Sequence, residues 1–315
     1  MVHTEIQEKK ARKYYYRVKS VRNGSKVRKE RVYLGVNLSK EELKKKEKEA
    51  DKKLNIFSEA LTKEELQFLE TLKRDFSKEP KENCENRYEA FCSLFTFDST
   101  GIEGNTLTLS ETSHLLFEGI VPKEKPLREI HEVLNHKKAI DFMLEHNGAL
   151  NKEFILKLQE IVVINTLRAD LISQLGKYRR VQVFVGGSIP PKPEDVPRKM
   201  ASLLRWHSIN KNKLHPLILA SHFHTEFEKI HPFVDGNGRV GRLLMNFIMY
   251  KNNYPMINIP KLKRFRYYEV LQEAQYKGNL KSFVSFLISL LKNEKLRFWT
   301  SICRHNLPIN VIDKY

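Results

Sequence analysis

Cysteine is scarce: 315 residues contain three, Cys84, Cys92 and Cys303. They are too few for a disulfide framework, and no two form a CxxC pair. Long apolar runs are missing as well. Phe283–Leu291, one of the longest, falls well short of the roughly 20 residues that cross a bilayer. The first thirty residues are basic and polar, without the apolar centre of a signal peptide. Low-complexity tracts and internal repeats are absent. The expectation is a soluble, cytoplasmic chain with no membrane partner.

What is present is enough for a packed interior. Hydrophobic residues make up 41% and aromatics 10%, which argues against wholesale disorder. The length suits one large or two ordinary domains. Fifty-six Lys and Arg against 38 Asp and Glu give a net charge of +18. Residues 1–55 hold 18 of those cations and 8 of the acids, so +10 sits there and +8 in the remaining 260 residues. Such an appendage fits either a polyanion partner or a solvated, charge-rich module.

Residues 1–55 read as a β-hairpin followed by a helix. Tyr14–Lys19 and Val27–Leu34 are rich in aromatic and β-branched residues, and Asn23-Gly24 between them is a type I′ turn signal. Ser39 caps a Lys/Glu-rich run, Lys40–Leu54, with opposite charges at helical spacing and few apolar residues. That composition suggests a solvated connector or a loosely docked helix, with a boundary near residue 55. Residues 56–315 follow a mostly helical apolar period. Helices are expected over Glu64–Phe76, Arg87–Phe97, Leu127–Glu145, Asn151–Ile164, Val196–Ile209, Pro216–Lys229, Gly238–Asn252, Tyr267–Tyr276 and Asn279–Asn293. Thr108 and Glu111 form a capping box ahead of another, around Ser113–Phe117. The strand-like interruption is Arg179–Gly187, followed by Ile189-Pro190-Pro191.

The chemistry concentrates in residues 231–242, His-Pro-Phe-Val-Asp-Gly-Asn-Gly-Arg-Val-Gly-Arg. Pro232 disfavours helix at His231, so the preceding helix should stop there. Gly236 and Gly238 flank Asn237 and free the backbone to present its N–H groups. An apolar helix follows at once, and a glycine loop at a helix N-terminus attracts phosphate. Arg239 and Arg242, three apart, share a helix face and can both reach that anion. Asp235 adds a carboxylate of the kind a magnesium ion needs beside phosphates. Alone, GNGR is an ordinary tight turn before a helix. The twelve residues together match HxFx(D/E)GNGRxxR at every specified position, and so resemble the signature of the Fic family. The run His224–Ile230 is similar to that family's lead-in.

The likeness extends over roughly residues 85–295. Residues 179–191, with Val183, Phe184, Val185, Gly186 and Gly187, resemble the family's flap hairpin, whose main chain aligns a target segment by adding a strand. Tyr267-Tyr268 resembles a tyrosine pair near the nucleotide base; Gln275 stands where relatives often have asparagine. The resemblance implies a mainly α, Fic-type helical bundle with a short β-hairpin flap, beside the N-terminal hairpin/helix appendage. It also implies transfer of AMP from ATP, with Mg2+, to a hydroxyl side chain of a target protein. In that scheme His231 takes the hydroxyl proton and Asp235 holds the metal. The N–H groups of Gly236, Asn237 and Gly238, the Asn237 amide, Arg239 and Arg242 orient phosphate. Ser99–Asn105 resembles the family's inhibitory motif, (S/T)xxxE(G/N), in which Glu103 pairs with Arg242; the same glutamate could serve AMP removal.

Two other readings compete. His222, His224, His231 and Asp235 lie within fourteen residues, as in a metal-dependent hydrolase. Histidines at i and i+2 diverge on a helix, however, unlike the i, i+4 pair of zinc helices, so His222 and His224 are expected to pack. The second is a nucleic-acid-associated regulator that uses residues 1–55 as its reader and the Fic domain as a nucleotide-binding module. The oligomeric state, homo-oligomer included, is left open.

Overall fold

A computed structural model of the chain describes residues 2–9, 11–23, 26–57, 60–77, 84–186 and 189–293. Gly24, Gly187 and Cys303 lie outside them. Three strands open the chain: β1 (Val2–Lys9), β2 (Arg12–Asn23) and β3 (Lys26–Val36), antiparallel in the order β1-β2-β3. The expected hairpin is β2–β3. The additional strand β1 has little strand propensity of its own. Glu5, Ile6 and Gln7 lie opposite Tyr16, Tyr15 and Tyr14 of β2, so tertiary pairing creates it.

Helix α1 (Lys40–Ile56) starts at the Ser39–Glu42 capping box. It is docked on the sheet and is not a free connector. Tyr15, Leu34 and Ala50 form a small buried core, with Val32, Leu38 and Leu43 against it. Arg17 adds a two-pronged bond to Asp51, at 2.7 and 2.9 Å, across the same interface. A handful of apolar contacts suffices because ion pairs and Arg17's aliphatic stem cover the rest.

The body consists of α2 (Lys63–Ser77), α3 (Cys84–Ile102), α4 (Leu109–Phe117), α5 (Leu127–Glu145), α6 (Lys152–Val163), α7 (Val196–Asn210), α8 (Pro216–Ile230), α9 (Asn237–Lys251), α10 (Arg264–Lys277) and α11 (Leu280–Lys292). Capping boxes and caps fall where residue type predicts: Thr108 with Glu111 before α4, Asn151 before α6. The centre of the bundle is α9, buried continuously from Arg239 to Tyr250. It packs against α8, α6, α5 and α3 within one extended core. A helix buried all round cannot show a clean amphipathic stripe, and α9 is identifiable mainly by the loop before it. Among the described residues no helix is long and apolar enough to cross a membrane.

The expected flap hairpin is not a strand ladder among the described residues 179–186 and 189–191. Arg179, almost wholly buried, holds this loop from below, donating to the carbonyls of His231 (2.8 Å), Val181 and Pro191. Gln182 clasps its two limbs through Val183 O and Pro190 O. Val185 keeps a bridge-type main-chain pairing, and the Arg179 guanidinium holds the rest of the loop.

Because α1 and the sheet have their own small core, while Phe57 packs on Trp206 and His222 in the body, a chain beginning at Phe57 is expected to fold. Its thermal transition should stay cooperative and within a few degrees of the full chain's. Aggregation or loss of the transition would place residues 1–55 inside the core.

Candidate active site

Helix α8 ends at His231, whose φ of 49° and ψ of 64° put it in the left-handed region. Its N–H still reaches Phe227 O at 2.9 Å. The chain therefore turns out of the helix on a non-glycine residue, which costs about 1 kcal/mol. Its Nδ1 lies 3.9 Å from Glu228 Oε2. Burial lowers the His231 pKa to about 4, so the ring is neutral at pH 7 and free to accept a proton.

The loop after it is shaped by its own side chains. Asn237 accepts from Phe233 N–H and donates to Phe233 O, both at 2.9 Å. The amide is thereby committed to the loop, so what Asn237 offers an anion is its backbone. Gly236 has φ of 84°, and a Cβ there would meet Val163 Cγ1 at 2.6 Å. Both conformation and space demand glycine. Gln159 of α6 braces the loop by donating to Asp235 O.

Arg239 and Arg242 are 3% and 1% exposed. Arg239 gives one bond to Asp235 Oδ1, and its Nε and Nη1 are buried without partners. Arg242 donates to Ser99 Oγ, Ser99 O and Glu103 Oε1, the last at 2.8 Å; its Nη1 has no partner. Buried donors without acceptors are costly. Those of Arg239 and Arg242 sit one helical turn apart at the α9 N-terminus. Burial works to lower the Arg242 pKa, but the Glu103 carboxylate carries it above its ordinary value.

Glu103 follows the last turn of α3, where Gly104 adopts φ of 107°. A Cβ on Gly238 would lie 2.2 Å from Glu103 Oε1. The carboxylate thus rests directly on the glycine loop, against the positive end of α9. Glu228 is buried beneath, with Oε1 unpartnered, and burial raises its pKa to about 8.

Asp235 fits a divalent cation that arrives with phosphate. Its Oδ1 accepts from Gly236 N–H and Arg239, while Oδ2, among the described residues, faces Arg128 Nη2 at 3.6 Å. Among the described residues no three His, Cys, Asp or Glu cluster as a self-sufficient metal cage. His222 packs on Trp206 and Phe57, and His224 Nε2 bonds Tyr267 OH at 2.8 Å between aromatic rings. Both are packing residues, as their spacing suggests.

The tyrosine pair divides. Tyr267 is 1% exposed, with its OH against His224 Nε2, and Tyr268 is 39% exposed; both feel the charges of Arg242 and Glu103. Of the two, only Tyr268 reaches the surface. On the flap, Phe184 is exposed and Gly186 has φ of 49°; Val183 and Val185 are half-buried. Arg128, Arg179, Gln159 and Glu228 belong to this site without having been singled out from sequence. Nothing in their local spacing marks them, because each acts across helices far apart in the chain.

Residues 149–249 match the Fic/DOC family. A protein adenylyltransferase Fic from Drosophila mojavensis is 37% identical over 218 residues, 68% of this chain and 43% of that protein. The one from Drosophila melanogaster is 35% identical over the same span and 44% of its length. The chain carries a Fic domain. It spans about two fifths of the length of these curated relatives. A solved Fic-domain-containing signaling protein from Bacteroides thetaiotaomicron has a TM-score of 0.65 at 26% identity, covering 75% of this chain and 95% of that one. Fic-1 of C. elegans (residues 134–508) has the same TM-score at 24% identity and 83% and 77% coverage, a likeness of fold. The Fic match takes in α6, the flap, α7, α8, the 231–242 loop and most of α9; Glu103, Arg128 and Tyr268 lie outside it.

Glu228 offers a pH test of this Fic core. Its folded pKa of about 8 lies above the unfolded value near 4.5, so the native state holds a proton that the unfolded chain releases. Stability is therefore lost as pH rises from about 5 to 8. Glu228→Gln should match wild type in melting temperature at pH 5 and exceed it by several degrees at pH 8. An equal gap at both values would mean the carboxyl is ionised in place.

Proposed function

We propose that this Fic domain transfers AMP from ATP to a hydroxyl side chain of a protein. The observation that carries this reading is the pairing of a neutral imidazole, His231, with an anion cradle one loop away. Three unpartnered buried guanidinium N–H groups, the N–H groups of the glycine loop and the α9 dipole make up that cradle. The hydroxyl oxygen attacks the α-phosphorus, forming an O–P bond as the bond to the α–β bridging oxygen breaks. His231 accepts the hydroxyl proton, and pyrophosphate leaves. Asp235 Oδ2 would hold Mg2+ once Arg128 yields to phosphate; a bound magnesium offsets the charge growing on the leaving pyrophosphate. Arg239 and Arg242 orient the phosphates. The flap, anchored at the His231 carbonyl by Arg179, would hold the target segment at a fixed distance from the base.

Glu103 is the brake in this reading. Its carboxylate lies against Gly238 and holds Arg242, the place and partner that a γ-phosphate oxygen needs. An internal anion in an anion site competes with the external one. The same carboxylate could position water for AMP removal.

The deciding experiment is incubation with α- and γ-labelled ATP followed by intact mass. Label from the α position and gain of an AMP mass are expected; label from γ alone would make the protein a kinase. His231→Ala should lower AMP transfer by at least a hundredfold while ATP binding persists, and near-native turnover would remove His231 from the role of base. Asp235→Ala should weaken magnesium-dependent nucleotide binding.

Glu103→Gly should raise auto-AMPylation at least tenfold over wild type, and Arg242→Ala added to it should suppress the gain. Equal labelling of wild type and Glu103→Gly, with ATP bound to both, would refute the brake and leave His231's role intact.

A further inference from the structure

We propose that the face of the N-terminal sheet turned away from α1 binds a nucleic-acid duplex through its phosphates. Side chains alternate along a strand, so the register sorts them. Tyr15 and Arg17 face α1, which places Tyr14 and Tyr16 on the other side, around a fully buried Val18. Cross-strand pairing adds His3, Glu5 and Gln7 from β1, and Arg31 and Tyr33 from β3. Lys9 pairs with Arg12 at one end of that face, and Lys29 lies opposite Ser20 along β3.

The two faces treat their cations differently. Towards α1, Arg17 is neutralised by Asp51 and Glu47, and Lys13 by Glu8. On the outer face Lys9, Arg12, Lys29 and Arg31 are exposed, and Glu5, bonded to Arg31 at 3.2 Å, is the acid among them. Lys9 and Arg12 have no carboxylate in ion-pair contact among the described residues. Among the described residues, these four cations and Glu5 leave a net positive charge on this face.

The shape favours a duplex. Strand β2 has 12 residues, or about 40 Å at ~3.3 Å each, close to one turn of duplex. Such a ribbon can lie in or across a groove with phosphates in reach on both sides. Tyr16 and Tyr33 are packed on each other, with centroids 5.3 Å apart and planes at 50°, so they do not form the flat platform on which single-stranded bases stack. Among the described residues no Trp, Phe or Leu lies on this face to enter a lipid surface.

The test is fluorescence anisotropy of the full chain with a labelled 24-base-pair DNA duplex, the same sequence as an RNA duplex, and as single strands. Duplex binding should weaken roughly a hundredfold from 50 to 200 mM salt, as about four phosphate contacts require. Tighter binding of either duplex names the source and supports the proposal. Arg12→Glu/Lys29→Glu/Arg31→Glu should weaken duplex binding at least tenfold. Lys44→Glu/Lys45→Glu/Lys48→Glu, which changes the charge equally on the exposed side of α1, should stay within twofold. If the first variant misfolds by circular dichroism, Lys9→Gln/Arg12→Gln should still cost about fivefold. Absence of duplex binding at 50 mM salt, equal losses in both triple variants, tighter single-strand binding, or equal affinity for phosphatidylserine vesicles would each overturn the proposal.

Discussion

Arg242 is a full positive charge with 1% exposure, and a charge removed from water must find partners or unfold its surroundings. Its partners lie on and just after α3: Ser99 by side chain and carbonyl, Glu103 by carboxylate. That one requirement locks the end of α3 to the start of α9 across more than a hundred residues of chain. It also sets how close Glu103 comes to Gly238.

Around it the site follows from burial. The same dry environment that leaves His231 without its proton leaves Glu228 holding one, because each avoids charge where water is excluded. A neutral base and a neutral acid stand beside an unusually cationic pair, Arg239 and Arg242. Each arginine already holds one carboxylate, Arg239 that of Asp235 and Arg242 that of Glu103, and the donors left over would suit the phosphates of a nucleotide. Asn237 and Gly236 serve this arrangement indirectly: one clasps Phe233, the other lets the backbone pass Val163.

The N-terminal module solves a different problem. Its core of Tyr15, Leu34 and Ala50 is small, and Arg17's bonds to α1 carry much of the docking. Using acids on α1 for that purpose leaves the opposite face with cations and little to balance them. Placement of charge, and not its total, distinguishes a surface that can meet a polyanion from one that is merely soluble.

The helical body was legible because 3.6-residue periodicity and caps are local: α5 falls on the residues expected of it, and Thr108, Asn151 and Ser39 cap as their side chains allow. The 231–242 loop was legible too, since its glycines, arginines and histidine act within one turn of one another. Strand β1, the docking of α1 and the open flap were not, because each depends on a partner distant in sequence. For the same reason Arg128 at Asp235, Arg179 under the flap and the division of Tyr267 from Tyr268 emerge only in the folded chain. Sequence alone determined which residues could make an anion cradle with a base beside it. Tertiary structure decided that the cradle already holds Glu103, because only packing of α3 against α9 brings a carboxylate onto Gly238.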